Sequence, residues 1–321
     1  MASSPHAARR GRARRSSQLF GRPQSKMSEL FSADFLRQLE GLHLLARQIS
    51  RGRMRAERRS VKRGSGLEFA DYRLFIPGDD IRAIDWSVYA RSRHLLMRLF
   101  EEEEDLHVHL LLDCTASMDW GEPSKFDQGR RLVAGLAYLA LANLDRAGIA
   151  PVGPDSQPQW APSRGRARFL GLLRYLESCN AQRGTCNLAD ATRRWLSGKP
   201  RRGLVLWVTD CWGETLEDSF LALDRLRYAR HDIGVLQLRH SNEIDAGELG
   251  EFELEEVEND GRRTLIIDRA AAAAYREEVA AYEERLQEYC RRHGIAHLRV
   301  DAAEPAIEVL RRSLHKGGFI Q

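Results

Sequence analysis

His107-Val108-His109-Leu110-Leu111-Leu112-Asp113 is an apolar run of strand length, and it leads directly into Cys114-Thr115-Ala116-Ser117. A second run, Leu204 to Val208, ends in Thr209-Asp210. Two strand-like segments therefore each deliver an aspartate at their C-terminal end. In an open parallel sheet, ligands bind beyond the carboxyl ends of the strands, at the point where strand order reverses. Asp113, Thr115 and Ser117 stand two residues apart, so a turn leaving the strand can aim one carboxylate and two hydroxyls the same way. All three are hard oxygen donors, a chemistry suited to Mg2+ or Mn2+ rather than zinc.

Around these runs the pattern alternates between strand and helix. The spacing predicts a strand over 106–113, then a helix from Lys125 to Ala147 closed by Gly148. A small hairpin follows around Gly153-Pro154-Asp155-Ser156. Helices are expected at 167–179, 187–197 and 215–229, and strands at 204–209 and 233–239. Such alternation predicts an α/β fold, a mostly parallel sheet with helices on both faces. After Glu243 the regime changes: Phe252 to Val257 and Thr264 to Ile267 pair around Asn259-Asp260-Gly261 as a hairpin. A long helix from Arg269 to Arg292, a strand from Ile295 to Val300 and a helix near 304–314 close the chain.

Composition narrows the function classes. Hydrophobic residues make up 43% and charged residues 30% of the 321, an ordinary balance for a folded soluble chain. No apolar run approaches the roughly 18 residues of a membrane span. The net charge of +4 is concentrated at the start, where residues 1–26 carry seven basic groups and no acid, which leaves −3 for the remainder. Rich in Ser, Ala and Pro, that segment is expected to be a disordered, solvated leader, unless the chain begins at Met27. The five cysteines lack any C-x-x-C pair, which points to reduced thiols and a cytoplasmic protein. Cys114, Cys186 and Cys211 each follow a candidate site residue and are read as small apolar packing groups.

Ahead of the alternating region, Ser32 to Ser50 reads as an amphipathic helix capped by Ser32, with Phe35, Leu36, Leu39, Leu42, Leu45 and Ile49 at helical spacing. A basic connector, Arg51 to Arg63, follows without interleaved aromatic residues, which argues against single-stranded nucleic-acid binding. Next come Gly66-Leu67-Glu68-Phe69, Pro77-Gly78-Asp79-Asp80-Ile81-Arg82, Ile84-Asp85-Trp86 and Ala90-Arg91. Asp79 or Asp80 is expected to cap the short helical turn, and Arg82, Asp85 and Arg91 to pair structurally. Glu101 to Asp105 is read as a solvated acidic run.

The Asp113, Thr115, Ser117 turn, Thr185 in Arg183-Gly184-Thr185-Cys186-Asn187-Leu188, and Asp210 together resemble the von Willebrand factor A-like fold with its metal-ion-dependent adhesion site. Thr115 stands where the family pattern has its first serine, which keeps the hydroxyl and adds a methyl group. With the signature before the sheet and Asp145-Arg146-Ala147-Gly148, the chain is similar to the "domain of unknown function 58" family, from about Leu30 to the C-terminus. The resemblance implies a Rossmann-type sheet with an N-terminal helix/β extension and a C-terminal hairpin-plus-helix elaboration. Its domain plan is 1–29 leader, 30–105 signature region and 106–321 von Willebrand factor A-like domain. It further implies a noncatalytic interaction module in which a partner's Asp or Glu completes the shell of a divalent metal, acting beside a MoxR-type AAA+ ATPase.

Two rival chemistries follow from the same residues. A strand-end Asp113 with Thr115 is also compatible with a magnesium-dependent phosphotransferase using Asp113 as nucleophile. Such enzymes place a second acid two positions on, where this chain has Thr115, and no lysine follows near Asp210 to balance phosphate charge. No Walker loop, HExxH helix or GxSxG elbow is present. Nucleic-acid binding through the basic leader is the third reading.

Overall fold

The structure, a computed structural model, describes residues 30–43, 63–64, 68–77, 79–101, 106–184, 186–212, 215–244, 250–255 and 262–315. They divide into two compact units, one formed by residues up to 44 together with 106–320, the other by 45–105. The helix at 33–43 thus belongs to the unit that holds the large sheet.

That unit is built on six strands: β4 (His107–Asp113), β5 (Arg146–Val152), β6 (Trp160–Arg164), β7 (Leu204–Thr209), β8 (Asp232–Arg239) and β11 (Ala296–Asp301). Their order across the sheet is β11-β8-β7-β4-β5-β6, parallel throughout except for the antiparallel edge pair β5/β6. The chain starts in the middle at β4, moves out through β5 and β6, then returns to lay β7 on the other side of β4. Strand order therefore reverses between β4 and β7, the two strands whose ends carry Asp113 and Asp210. Both run buried on each face, which is why they read as unbroken apolar stretches rather than alternating ones.

One face of the sheet, through Leu111, Val205, Trp207 and Val235, packs on helices α5 (Leu188–Ser197), α6 (Leu216–Tyr228) and α7 (Arg269–Arg292). The other face carries α3 (Lys125–Ala142), with α1 (33–43) and α8 (Ala306–His315) beside it. The three helices meet at Gly135, where a Cβ would lie 2.2 Å from a methyl of Leu310 and 3.3 Å from one of Leu39, so any larger residue there forces the Leu310 side chain to move. Ser32 caps α1 as the sequence predicts, its Oγ accepting from Phe35 N at 3.2 Å, and Phe35, Leu39 and Leu42 are buried. The expected continuation of α1 to Ser50 lies outside the described residues.

One expected boundary is corrected. The helix predicted to run from Lys125 to Ala147 ends at Ala142, and Arg146–Val152 is a strand. Asn143, Asp145 and Arg146 interrupt the apolar run, Leu144 takes a left-handed φ of 64°, and Asp145 N bonds back to Ala140 O. The chain is then free to build a full parallel ladder beside β4, which outweighs the remaining helical propensity. Gly148 is not a helix cap. It sits in β5, where a Cβ would stand 3.0 Å from the Pro162 ring of β6.

Beyond β8 comes a one-turn helix, Ser241–Ile244, and then the expected hairpin, β9 (Gly250–Glu255) with β10 (Arg262–Ile267), in the register Phe252 opposite Leu265. Asp268 caps α7 through Ala271 N at 2.7 Å.

The second unit is a three-stranded antiparallel sheet, β1 (Arg63–Gly64), β3 (Leu96–Glu101) and β2 (Glu68–Leu74), with helix α2 (Trp86–Ser92). Asp80 caps the 3-10 turn Ile81–Ala83 through Arg82 N at 2.9 Å. Asp85 caps α2 through Ser87 N and Val88 N, and accepts from Tyr72 Oη at 2.9 Å. Arg91 turns back to its own helix at Ser87 O, where the sequence reading expected it to pair with Asp85. The ion pair of this unit that the sequence did not announce is Arg73 with Asp79, in which the guanidinium holds the Asp79 carboxyl down to about 2.

Candidate functional site

At the carboxyl end of β4 the Asp113 side chain is buried and both of its oxygens are used. Oδ1 accepts from Thr115 N at 2.9 Å and from Thr115 Oγ1 at 2.7 Å, the compact turn that the two-residue spacing predicts. Thr115 Oγ1 lies 2.9 Å from Ser117 Oγ, so the carboxylate and both hydroxyls do converge. Oδ2 accepts from Thr209 Oγ1 at 2.6 Å. Thr209 is the last residue of β7 and the neighbour of Asp210, so one buried hydroxyl ties together the two strand ends picked out from the sequence.

Asp210 follows immediately, fully buried. Its Oδ1 accepts from Trp212 N at 3.0 Å, and its Oδ2 takes the ammonium of Lys125 at 2.8 Å. The same ammonium reaches Glu243 Oε1 at 2.5 Å, and Glu243 Oε2 accepts from His240 N at 3.0 Å. Lys125 is the first residue of α3, behind its cap Ser124, and only 1% of its side chain is exposed. The sequence reading missed both residues. No lysine follows near Asp210 in the sequence, yet one reaches it from 85 residues earlier in the chain. A lysine at the first position of an otherwise buried helix was the available signal, since that residue type is almost never fully buried without a partner.

The loop after Asp210 is held under tension. Cys211 adopts a left-handed φ of 60° without being glycine, a conformation that persists only where surrounding contacts impose it. Three do: Thr209 Oγ1 accepts from Cys211 N at 2.9 Å, Ser219 Oγ donates to Cys211 O at 3.3 Å, and Tyr282 Oη of α7 donates to the same carbonyl. Trp212 stacks on Tyr282, ring centroids 4.9 Å apart, while Trp120 meets His240 edge-on at 5.2 Å.

Thr185 lies outside the described residues. Its described neighbours do come to the site: Gln182 N donates to Cys114 O at 2.7 Å, Gln182 bridges to Thr115, and Asn187 caps α5 through Asp190 N. Cys114, Cys186 and Cys211 are buried free thiols. Burial pushes the Cys114 and Cys211 thiols well above their ordinary range, which keeps them protonated and poor ligands.

Burial, followed by the nearby charge of Asp210, pushes the Asp113 carboxyl up to about 6, while its threonine donors pull the other way. Burial alone would lower Lys125, yet Asp210 and Glu243 together hold it above its ordinary value. Glu243 is raised by burial against the pull of Lys125. Asp113, Asp210, Glu243 and Lys125 carry a formal charge of −2 when ionised, the charge a divalent cation neutralises. Among the described residues, the donors of Asp113, Thr115, Ser117 and Asp210 are carboxylate and hydroxyl oxygens, which fits Mg2+ or Mn2+. Among the described residues no group of three or more His, Cys, Asp or Glu could hold a metal by itself. A cation here would therefore lean on the hydroxyls of Thr115 and Ser117 as much as on the carboxylates.

Fold and site together define an α/β protein whose mostly parallel sheet gathers acids and hydroxyls where its strand order reverses. The chain belongs to DUF58, a family of proteins of unknown function, whose family model matches residues 71–287. The uncharacterized protein Rv1480 of Mycobacterium tuberculosis is 27% identical over 256 residues, which cover 75% of this chain and 79% of that protein. The uncharacterized protein YeaD of Bacillus subtilis is 28% identical over 134 residues, 41% of this chain and 31% of YeaD. Among solved structures, the conserved hypothetical protein BatB of Bacteroides thetaiotaomicron aligns with 66% of this chain and 98% of its own at 16% identity and a TM-score of 0.38, too distant a likeness to carry an argument.

Proposed function

We propose that this chain is a noncatalytic protein-interaction module of von Willebrand factor A-like architecture that captures an acidic side chain of a partner through Mg2+ or Mn2+ at the Asp113–Asp210 edge. The observation that carries this reading is the Thr209 hydroxyl bond to Asp113, which brings two strand-end carboxylates and the hydroxyls of Thr115 and Ser117 to the point of strand reversal. When bound, the cation supplies an open coordination position for a carboxylate from outside. The chain's own groups do the rest. Thr115 and Thr209 fix both oxygens of Asp113, and Trp212 N fixes one oxygen of Asp210. The family resemblance adds a MoxR-type AAA+ ATPase as the working partner, in assembling or maturing other proteins.

The setting is the cytoplasm, supported by five free cysteines. Among the described residues no helix is long and apolar enough to cross a membrane. Lys125 revives the phosphotransferase reading, since a cation does stand at Asp210. It ranks second because that ammonium is buried between two carboxylates instead of facing an incoming phosphate, and because Thr115 holds the position of the second acid.

The test is Asp113→Ala in the full chain, assayed by pull-down from the native cell with Mg2+ or with excess chelator. Magnesium-dependent capture is lost in the variant while its circular dichroism is unchanged. Full capture by the variant in chelator sinks the metal bridge, and magnesium-dependent release of phosphate from an acyl phosphate would favour the enzyme.

A further inference from the structure

The geometry points to Lys125 as a tethered counter-ion that occupies Asp210 until a divalent cation enters, with Glu243 as the receiver that takes the ammonium over. This rests on the metal reading above and names how the same site is regulated.

Oδ1 of Asp210 accepts from Trp212 N, and Oδ2 is in contact with the Lys125 ammonium at 2.8 Å, so a cation that comes to Oδ2 meets the ammonium there. Two cations cannot share that oxygen at contact distance without strong repulsion in a buried setting. The ammonium does not have to leave the protein, however. Glu243 Oε1 already touches it at 2.5 Å, and Glu243 is anchored from behind by His240 N and by its own N–H on His240 O. A swing of the flexible lysine stem toward Glu243 frees Asp210 while the lysine stays paired. The charge of the four groups remains −2 throughout, so the exchange costs the site no net attraction for a dication. What it costs is one buried ammonium–carboxylate contact, and that cost sets the affinity.

The one-turn helix Ser241–Ile244 thereby becomes part of the device. Ser241 Oγ is hydrogen-bonded to Asp301 at the end of β11, which fixes the start of that helix to the sheet. Glu243 is thus a rigid receiver on a short support.

Two variants of the full chain separate this from a purely structural lysine, and both keep the formal charge at −2. Lys125→Met with Glu243→Gln removes competitor and receiver together. Glu243→Asp shortens the receiver by one methylene. Binding of Mn2+ alone is followed by electron paramagnetic resonance, and of Mg2+ alone by calorimetry, with circular dichroism and a urea melt as fold controls. The double variant binds at least about tenfold tighter than wild type, and Glu243→Asp binds several-fold weaker. Equal or weaker binding by the folded double variant overturns the inference. So does unchanged or tighter binding by Glu243→Asp, which decides the matter if the double variant fails to fold. If wild type binds Mn2+ and Asp113→Ala does not, the metal reading stands whatever these variants do. If wild type takes up neither ion, both readings fall.

Discussion

Thr209→Val removes one hydroxyl that works in two directions. As donor it reaches Asp113 Oδ2 at 2.6 Å, and as acceptor it receives Cys211 N at 2.9 Å, with Thr209 itself wholly buried. Valine matches the shape, so no cavity opens and the change reads the hydrogen bonds alone. Losing a donor to a buried carboxylate costs about 1.5–3 kcal/mol, and orphaning a buried N–H about 1–3 kcal/mol. The sum is limited because the Asp113 carboxyl, already pushed up to about 6, can take a proton at neutral pH once its donor is gone. A net loss of about 2–4 kcal/mol follows, a large share of the roughly 5–15 kcal/mol available to a domain. Urea melts at pH 7 should show the midpoint falling with the slope unchanged. Thr209→Ser, which keeps the hydroxyl, should lose about 1 kcal/mol, from one methyl group. A valine variant within about 0.5 kcal/mol of wild type, the range of an inconsequential surface change, would refute the claim that this hydroxyl stitches β4 to β7.

Gly121→Ala should destabilise by about 2–3 kcal/mol, because φ is +93° and a Cβ would press to 2.5 Å from the His240 ring; tryptophan fluorescence should report it through Trp120, which packs on that ring. His109, held down to about 4 chiefly by burial, makes stability depend on pH. In the folded protein it stays neutral to about pH 4, whereas the unfolded chain takes up a proton near 6.5. The unfolded state thus binds more protons in that window, and stability falls as pH drops from 6.5 toward 4 and no further below. The loss is at most about 3 kcal/mol. His109→Gln, which keeps a donor for Arg201 O, should flatten that part of the pH profile, and a variant with the wild-type slope would show that another group is responsible.

The sheet was legible because its signals are local. Asp113 and Asp210 each close a buried run, and strands buried on both faces announce themselves by composition alone. Strand 204–209, helix 269–292 and the cap at Ser32 could be read for the same reason. The site was only half legible. A turn such as Asp113 to Ser117 is encoded by spacing, but Lys125 meets Asp210 across 85 positions and Glu243 across 118, and no periodicity records that. The helix boundary at Ala142 was hidden for a related reason. Residues 143–147 suit either state, and a partner strand, β4, chose between them. The same holds for Cys211: its strained backbone is imposed by Thr209, Ser219 and Tyr282, and nothing in its immediate sequence foretells it.

Pro162, the residue against which Gly148 fits, also has a bearing on how these molecules behave at high concentration. It lies in the edge strand β6, and a proline offers no N–H to a newcomer. With only five residues, antiparallel to its neighbour and interrupted in register between Ala147 and Ile149 of β5, this rim gives an incoming strand no continuous row of donors to pair with. Sheet-to-sheet polymerisation is therefore disfavoured at that flank by a short, irregular edge that contains a proline.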